Sequence, residues 1–165
     1  MATWSGIRKK LENEYLAESL RGHIQYFATT YRESHDREGR AAILLDGKEI
    51  VSGGYYKRWS VERLFPKDER YEERIRQEIS FMDDTALKLG VFDQRSFYSA
   101  FDEFDNQSIE KSLSSENLIV RIFAILDRRV GKRKLLLIKN RILEEPELFQ
   151  VFYAIRADAE KINQI

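Results

Sequence analysis

The dipeptide Asp46-Gly47 stands between two runs, Arg40 to Leu45 and Lys48 to Ser52, that are rich in apolar residues, and this spacing constrains the fold more tightly than any other feature. A two-residue connection between strands needs positive φ at both central positions, which Asp and Gly tolerate, so the pair predicts an antiparallel hairpin. Across a polar loop, Glu33 to Gly39, the Tyr-, Phe- and Thr-rich segment His23 to Arg32 adds a third strand. A meander of this size buries its face only against another layer, so helices must cover it. Gly53-Gly54 is expected to break the sheet.

The helices follow from periodicity. Trp4, Ile7, Leu11, Tyr15, Leu16 and Leu20 recur at three and four, which predicts an amphipathic helix over Trp4 to Leu20 ended by Gly22. Tyr55 to Phe65 shows no clear period. Beyond it, Pro66 suits a first helical turn, and Tyr71, Ile75, Ile79, Met82, Ala86 and Leu89 step down to Gly90, with Glu72 and Arg76 placed to pair outside. After Gly90 the pattern is helical at Ser96 to Phe104, Ser108 to Leu113, Asn117 to Val130, Lys132 to Leu143 and Pro146 to Ile162. Asn117 to Val130 is apolar around most of its circumference and is expected at the centre of the bundle. No repeat or low-complexity linker divides the chain. The expectation is therefore a single α+β domain over residues 1–165: an N-terminal helix, a three-stranded antiparallel meander in a sheet-containing part (1–65), and a mostly helical C-terminal half (66–165) packed on it.

Composition excludes several chemistries. Basic and acidic side chains balance at 28 each, so no net field draws the chain to a polyanion or a membrane, and any such binding must be local. There is no cysteine, which removes disulfides and thiolate sites and fits a reducing compartment. His23 and His35 are the only histidines, too few for a histidine-rich metal site. No apolar run approaches the roughly 18 residues of a membrane span, and a cytoplasmic protein with no metal and no cofactor is expected.

The segment Arg128 to Arg141 concentrates what the rest balances, with seven basic residues and no acidic one. If Gly131 ends one helix and Lys132 opens the next, free backbone N–H groups and basic side chains converge where an anion is stabilised. Arg128, Arg129, Lys132, Arg133 and Lys134, joined by Arg21, Arg32 and Arg40, are thus candidate anion-binding residues for nucleic acid or a phosphorylated ligand. The plainer alternative makes the arginines a helix C-cap and the lysines solvated charges. A groove-reading helix over Lys132 to Leu143 is disfavoured, because its leucines and isoleucines are expected to pack and the connection is one residue long. Asp127 beside two arginines is expected to form an internal ion pair that orients them.

Other candidates are sparser. The loop Ser34-His35-Asp36, flanked by Arg32, Arg37 and Arg40, is the one place where an acid–base group lies near anion binders in sequence, and His35 and Asp36 are weak catalytic candidates for phosphate-ester hydrolysis. Asp46-Gly47-Lys48-Glu49 superficially resembles a metal-nuclease pattern, but the turn uses its first two residues. Tyr26, Phe27, Tyr31, Tyr55, Tyr56 and Trp59, interleaved with Arg32, Lys57 and Arg58, form either a base-stacking surface or a core face with amphipathic edges.

The opening Trp4-Ser5-Gly6-Ile7-Arg8-Lys9-Lys10-Leu11, the segment Leu20 to Phe27, the loop Ser34-His35-Asp36 with Gly39-Arg40, and Leu126-Asp127-Arg128-Arg129-Val130-Gly131-Lys132-Arg133 together resemble a family of small bacterial proteins of unknown function. That resemblance implies a bacterial cytosolic protein and assigns no activity. The residues themselves favour a non-enzymatic binding module with a basic anion site. The competing readings are an enzyme using His35 and Asp36, and a protein-interaction or homo-oligomeric protein that would leave an apolar patch on Trp4 to Leu20 or Pro146 to Ile162.

Overall fold

The computed structural model describes residues 3–30, 39–54 and 92–162. The helix expected from Pro66 to Leu89 and the loop bearing Arg32, His35 and Asp36 lie outside these residues, as do Tyr31, Tyr55, Tyr56 and Trp59. Strands β1 (Ile24–Thr30), β2 (Gly39–Leu45) and β3 (Lys48–Gly54) form an antiparallel sheet in sequential order. Asp46 and Gly47 both have positive φ, 50° and 80°, the geometry that the dipeptide predicts. The turn is tied back to β1, where Asp46 N–H donates to the His23 carbonyl at 2.8 Å and its carboxylate lies 2.6 Å from His23 Nδ1. Alternation along β1 is clean, with Ile24, Tyr26 and Ala28 buried and Gln25 and Phe27 exposed.

Gly53-Gly54 does not break the sheet as expected; both belong to β3. The reason at Gly53 is a close approach of chain to chain, since a Cβ there would lie 1.8 Å from the Phe92 carbonyl oxygen.

The N-terminal helix also departs from the single run expected over Trp4 to Leu20. Helix α1 (Trp4–Lys9) passes into a π-helical turn (Lys10–Glu14), and Leu16 then forms an isolated antiparallel bridge with Asp127 before a 3-10 turn (Glu18–Leu20). The apolar stripe survives, because Ile7, Leu11, Leu16 and Leu20 are all buried. From the π turn Glu12 reaches the open edge of β1, accepting the Tyr26 N–H at 2.8 Å, so part of that edge is closed by a carboxylate.

The C-terminal half contains α2 (Gln94–Asp105), α3 (Ile109–Leu113), α4 (Leu118–Ile125), α5 (Lys132–Lys139) and α6 (Glu147–Ala159). Asp93, Ser108 and Asn117 cap the first three through their side chains, each accepting an N–H of its helix. Helix α4 buries every residue but Arg121, as its all-round apolar pattern implies. Its Phe123 ring lies 5.6 Å from Tyr26, 5.7 Å from Phe97 and 5.7 Å from Phe104, all tilted edge to face, so one aromatic cluster joins sheet to helices. The architecture is α+β, an N-terminal helix and a meander followed by a mostly helical half. Among the described residues no helix is long and apolar enough to cross a membrane.

Adding one methyl group at Gly53 therefore forces β3 away from Phe92. Gly53→Ala is expected to lower stability by about 1–3 kcal/mol in urea unfolding, the range for overpacking, with no change in the far-ultraviolet signature of the fold.

Candidate anion-binding site

The site is built on a turn that sequence periodicity does not show. Helix α4 stops at Ile125 rather than Val130, and α5 begins at Lys132 after the Gly131 cap, so the connection spans residues 126–131. Arg156, on the inward face of α6 and only 3% exposed, holds this turn. Its Nη1 donates to the carbonyls of Ile125 (3.1 Å) and Asp127 (2.7 Å), its Nη2 to Val130 (2.8 Å), and its Nε to Glu160 (3.2 Å). Burial pushes the guanidinium pKa below its ordinary value, against the opposing effect of Glu160. The other side of the turn is pinned by the bridge to the N-terminal segment, Ala17 N–H to Leu126 O at 2.9 Å and Arg128 N–H to Tyr15 O at 2.7 Å.

Asp127 forms the ion pair expected of it, with Arg129. Its fully buried carboxylate accepts the Arg129 backbone N–H at 2.7 Å, Nε at 3.0 Å and Nη2 at 2.8 Å. This hydrogen bonding raises the Arg129 pKa against the cost of burial. The Arg129 guanidinium lies 5.0 Å from the Tyr15 ring centroid and 5.6 Å from that of Phe104. Tyr15 in turn donates its hydroxyl to Asp105, which also pairs with Lys10 at 3.2 Å. Burial, then the hydrogen bond and charge of Asp105, push the Tyr15 hydroxyl up to about 12. Tyr26 is pushed up as well, chiefly by burial.

An open cleft of about 680 Å³ lies beside the turn, with Ala17, Glu18 and Ser19 on one side, Arg128, Arg129, Gly131 and Lys132 on another, and Arg156 with Glu160 below. Glu160 is committed, accepting from Ser19 Oγ at 2.7 Å as well as from Arg156. Arg128, Lys132, Arg133 and Lys134 are exposed and pair with no described carboxylate. The first turn of α5 contains no acidic residue, and Gly131 caps it without a side chain, leaving its N–H groups to solvent or ligand. Cations at a helix N-terminus oppose the macrodipole, so the described residues leave this end of α5 electrostatically unsatisfied.

Of the candidates named from sequence, the structure brings Arg128, Arg129 and Lys132 to one cleft, but Arg129 is neutralised by Asp127. Arg133 and Lys134 stand on the same helical turn without lining the cleft. Arg21 is tied to the Asn13 carbonyl at 2.9 Å, and Arg40 is held on the sheet by Glu49 and the Phe27 ring. Arg32, His35 and Asp36 lie outside the described residues. Tyr26 is a core residue, which removes it from any stacking surface. Among the described residues no group of three or more carboxylates and histidines is placed to hold a metal.

Of the two objections to a groove-facing α5, the one from connection length falls, and the one from packing holds for Leu135, Ile138 and Ile142 but not for the other leucines. The connection is six residues long rather than one. Leu136, Leu137 and Leu143 are exposed, and only Leu135 of α5 is buried. Arg156 and Glu160, which organise the site, escaped sequence reasoning because they stand about thirty residues away in the chain.

Replacing Arg156 by Met leaves three turn carbonyls without their donor, and a loss of at least about 3 kcal/mol is expected in denaturant unfolding. Tyr15 gives a pH dependence. An unfolded phenol ionises near 10, so between there and about 12 the folded chain holds the extra proton, and stability falls as pH rises through this window. Tyr15→Phe is expected to flatten that alkaline decline in pH-dependent melting without abolishing it, since Tyr26 contributes in the same direction.

The comparisons agree with the resemblance read from the sequence. No curated protein and no solved structure matches the chain. One family model matches residues 3–157, from the residue that caps α1 to within α6, and by that match the chain belongs to the SF0329 protein family.

Proposed function

We propose that this chain is a non-enzymatic binding protein that holds the phosphate backbone of a nucleic acid along Arg128, Lys132 and Lys139. The observation that carries the reading is a set of exposed cations with no described carboxylate partner: Arg128 and Lys132 beside an open cleft at the uncapped N-terminus of α5, and Lys139 in its last turn. Lys132 and Lys139 are seven residues apart and so share one stripe of α5 over about 10 Å. Arg128 lines the same cleft as Lys132. A single phosphate engages two or three donors at one point, whereas a row of this length suits successive phosphates of a strand.

Binding without catalysis fits the acids that are present. Asp127 and Glu160, beside the cations, are both committed to arginines and to the architecture of the turn, which leaves Glu18 as the other carboxylate lining the cleft. His23 and Asp46 form an exposed pair at the hairpin, where they close the turn. Each phosphate neutralised by a lysine or arginine releases condensed counterions, so affinity is set by local charge despite the chain's zero net charge.

Fluorescence anisotropy with labelled single strands and duplexes, at about 50 and about 200 mM salt, tests this reading. Binding is expected to weaken steeply with salt. The triple variant Arg128→Ala, Lys132→Ala, Lys139→Ala should bind at least about tenfold more weakly, with a log–log salt slope shallower by about 2 for a single strand. No binding at the lower salt, or binding untouched by the variant, overturns the proposal.

A further inference from the structure

The cleft carries one side chain that a phosphate site does not call for. Glu18 is exposed on its wall, and its carboxylate pairs with no described residue. The chain is pinned on both sides of it: the preceding Ala17 N–H donates to the Leu126 carbonyl at 2.9 Å, and the following Ser19 Oγ donates to Glu160 at 2.7 Å. The Glu18 carbonyl is taken as well, accepting the Arg21 N–H at 3.2 Å. The backbone that bears this carboxylate is thereby held against the turn that bears Arg128, yet neither Arg128 nor Lys132 forms an ion pair with it.

A lone carboxylate repels a phosphate, so Glu18 weakens the cleft for a sugar–phosphate backbone alone. The volume, about 680 Å³, has room for a base as well as its phosphate. An ionised carboxylate only accepts hydrogen bonds, and it pairs best with two donors side by side. On the Watson–Crick edges of the bases, guanine alone presents two adjacent donors, N1–H and the 2-amino group. Adenine and cytosine set an acceptor beside their amino group, and uracil and thymine flank their one N–H with two carbonyls. A protein reaches that edge in a single strand, where the base is unpaired.

We propose that Glu18 is a specificity-determining residue, whose carboxylate accepts the N1–H and the 2-amino N–H of an unpaired guanine while Arg128 and Lys132 hold that strand's phosphates. This assignment rests on the phosphate reading above and narrows it to single strands that contain guanine. Charge is then matched on both walls, cation to phosphate and carboxylate to donor edge. The acid that counts against a simple polyanion site becomes the group that selects a base. Glu160, the other carboxylate of the cleft, is already neutralised by Arg156.

Anisotropy with a labelled oligothymidine strand carrying one central guanine tests the assignment, against the same strand with adenine, cytosine, thymine or hypoxanthine at that position. The guanine strand is expected to bind at least about tenfold more tightly than the all-thymine one, the scale of one bidentate contact. Hypoxanthine keeps N1–H but lacks the 2-amino group, and should lose about threefold or more of the guanine affinity. Glu18→Gln should bring the guanine and all-thymine strands to within about twofold of each other. The all-thymine strand should bind this variant no more weakly than the wild type, because a negative charge has left the cleft, and with the same salt slope. Wild-type binding that is salt-sensitive but equal for every strand overturns the assignment and leaves the phosphate reading standing, whereas no binding of any strand overturns both. A guanine preference that survives Glu18→Gln, or a variant that loses all strands alike, also overturns the assignment.

Discussion

Three carbonyl oxygens, of Ile125, Asp127 and Val130, converge on one buried guanidinium, and the rest of the C-terminal half is arranged around that convergence. The last carbonyls of a helix have no intrahelical partner, and water satisfies them only when the helix end is exposed. At the end of α4 the surroundings are apolar, so Arg156 supplies donors in water's place. The fork geometry of arginine matters here, because a lysine ammonium cannot reach several divergent oxygens from one fixed stem. The backbone is thereby bent sharply enough for α5 to leave in a new direction, and Leu16 and Ala17 can dock against Leu126 and Asp127 as a single bridge. The N-terminal segment, α4 and α6 meet at this one point.

That arrangement sorts the basic residues into two classes. Arg156 and Arg129 are neutralised by Glu160 and Asp127 and shielded by packing or aromatic rings, so they act on the chain itself. Arg128 and Lys132, immediate neighbours of those residues at the same cleft, have no such partner among the described residues. A sequence reading sees only a basic run. The separation arises because Asp127 has one carboxylate, fully used by Arg129, and although Glu18 lines the same cleft, no described carboxylate forms an ion pair with Arg128.

Much of the fold is legible where local chemistry decides it. Asp46-Gly47 specified its turn, alternation fits β1, and Ser108 and Asn117, where the sequence starts two helices, cap α3 and α4, whereas α2 starts two residues before the expected Ser96, after its Asp93 cap. Legibility fails where a tertiary partner overrides a local pattern. The stripe from Trp4 to Leu20 keeps its buried face while the backbone changes from α to π to a bridge, because Tyr15 and Leu16 are needed beside residues 126–128. Asn117 to Val130 reads as one helix because Leu126 and Val130 are buried in either conformation; Arg156 decides between them. The apolar residues of α5 look like a packed face, yet helix geometry points Leu136 and Leu137 away from Leu135. Arg156 carried one usable signal, a charged residue on the stripe with Phe149 and Tyr153 that otherwise faces the core.

Helix α5 itself is the least self-sufficient element of the site. Its eight residues are too few to be stable alone, it buries Leu135 and part of Ile138, and its first-turn cations oppose the helix dipole. What holds it is external: the Tyr153 hydroxyl on the Leu135 carbonyl, and the turn that Arg156 fixes at its N-terminus. A sequence free to optimise this helix for stability would place Asp or Glu where Lys132, Arg133 and Lys134 stand. A local rule is broken here, and among the described residues nothing compensates for it. The proposed phosphate at the first turn reverses the sign of the dipole interaction. The charge defect that makes α5 marginal on its own is thus the one that the proposed ligand repairs.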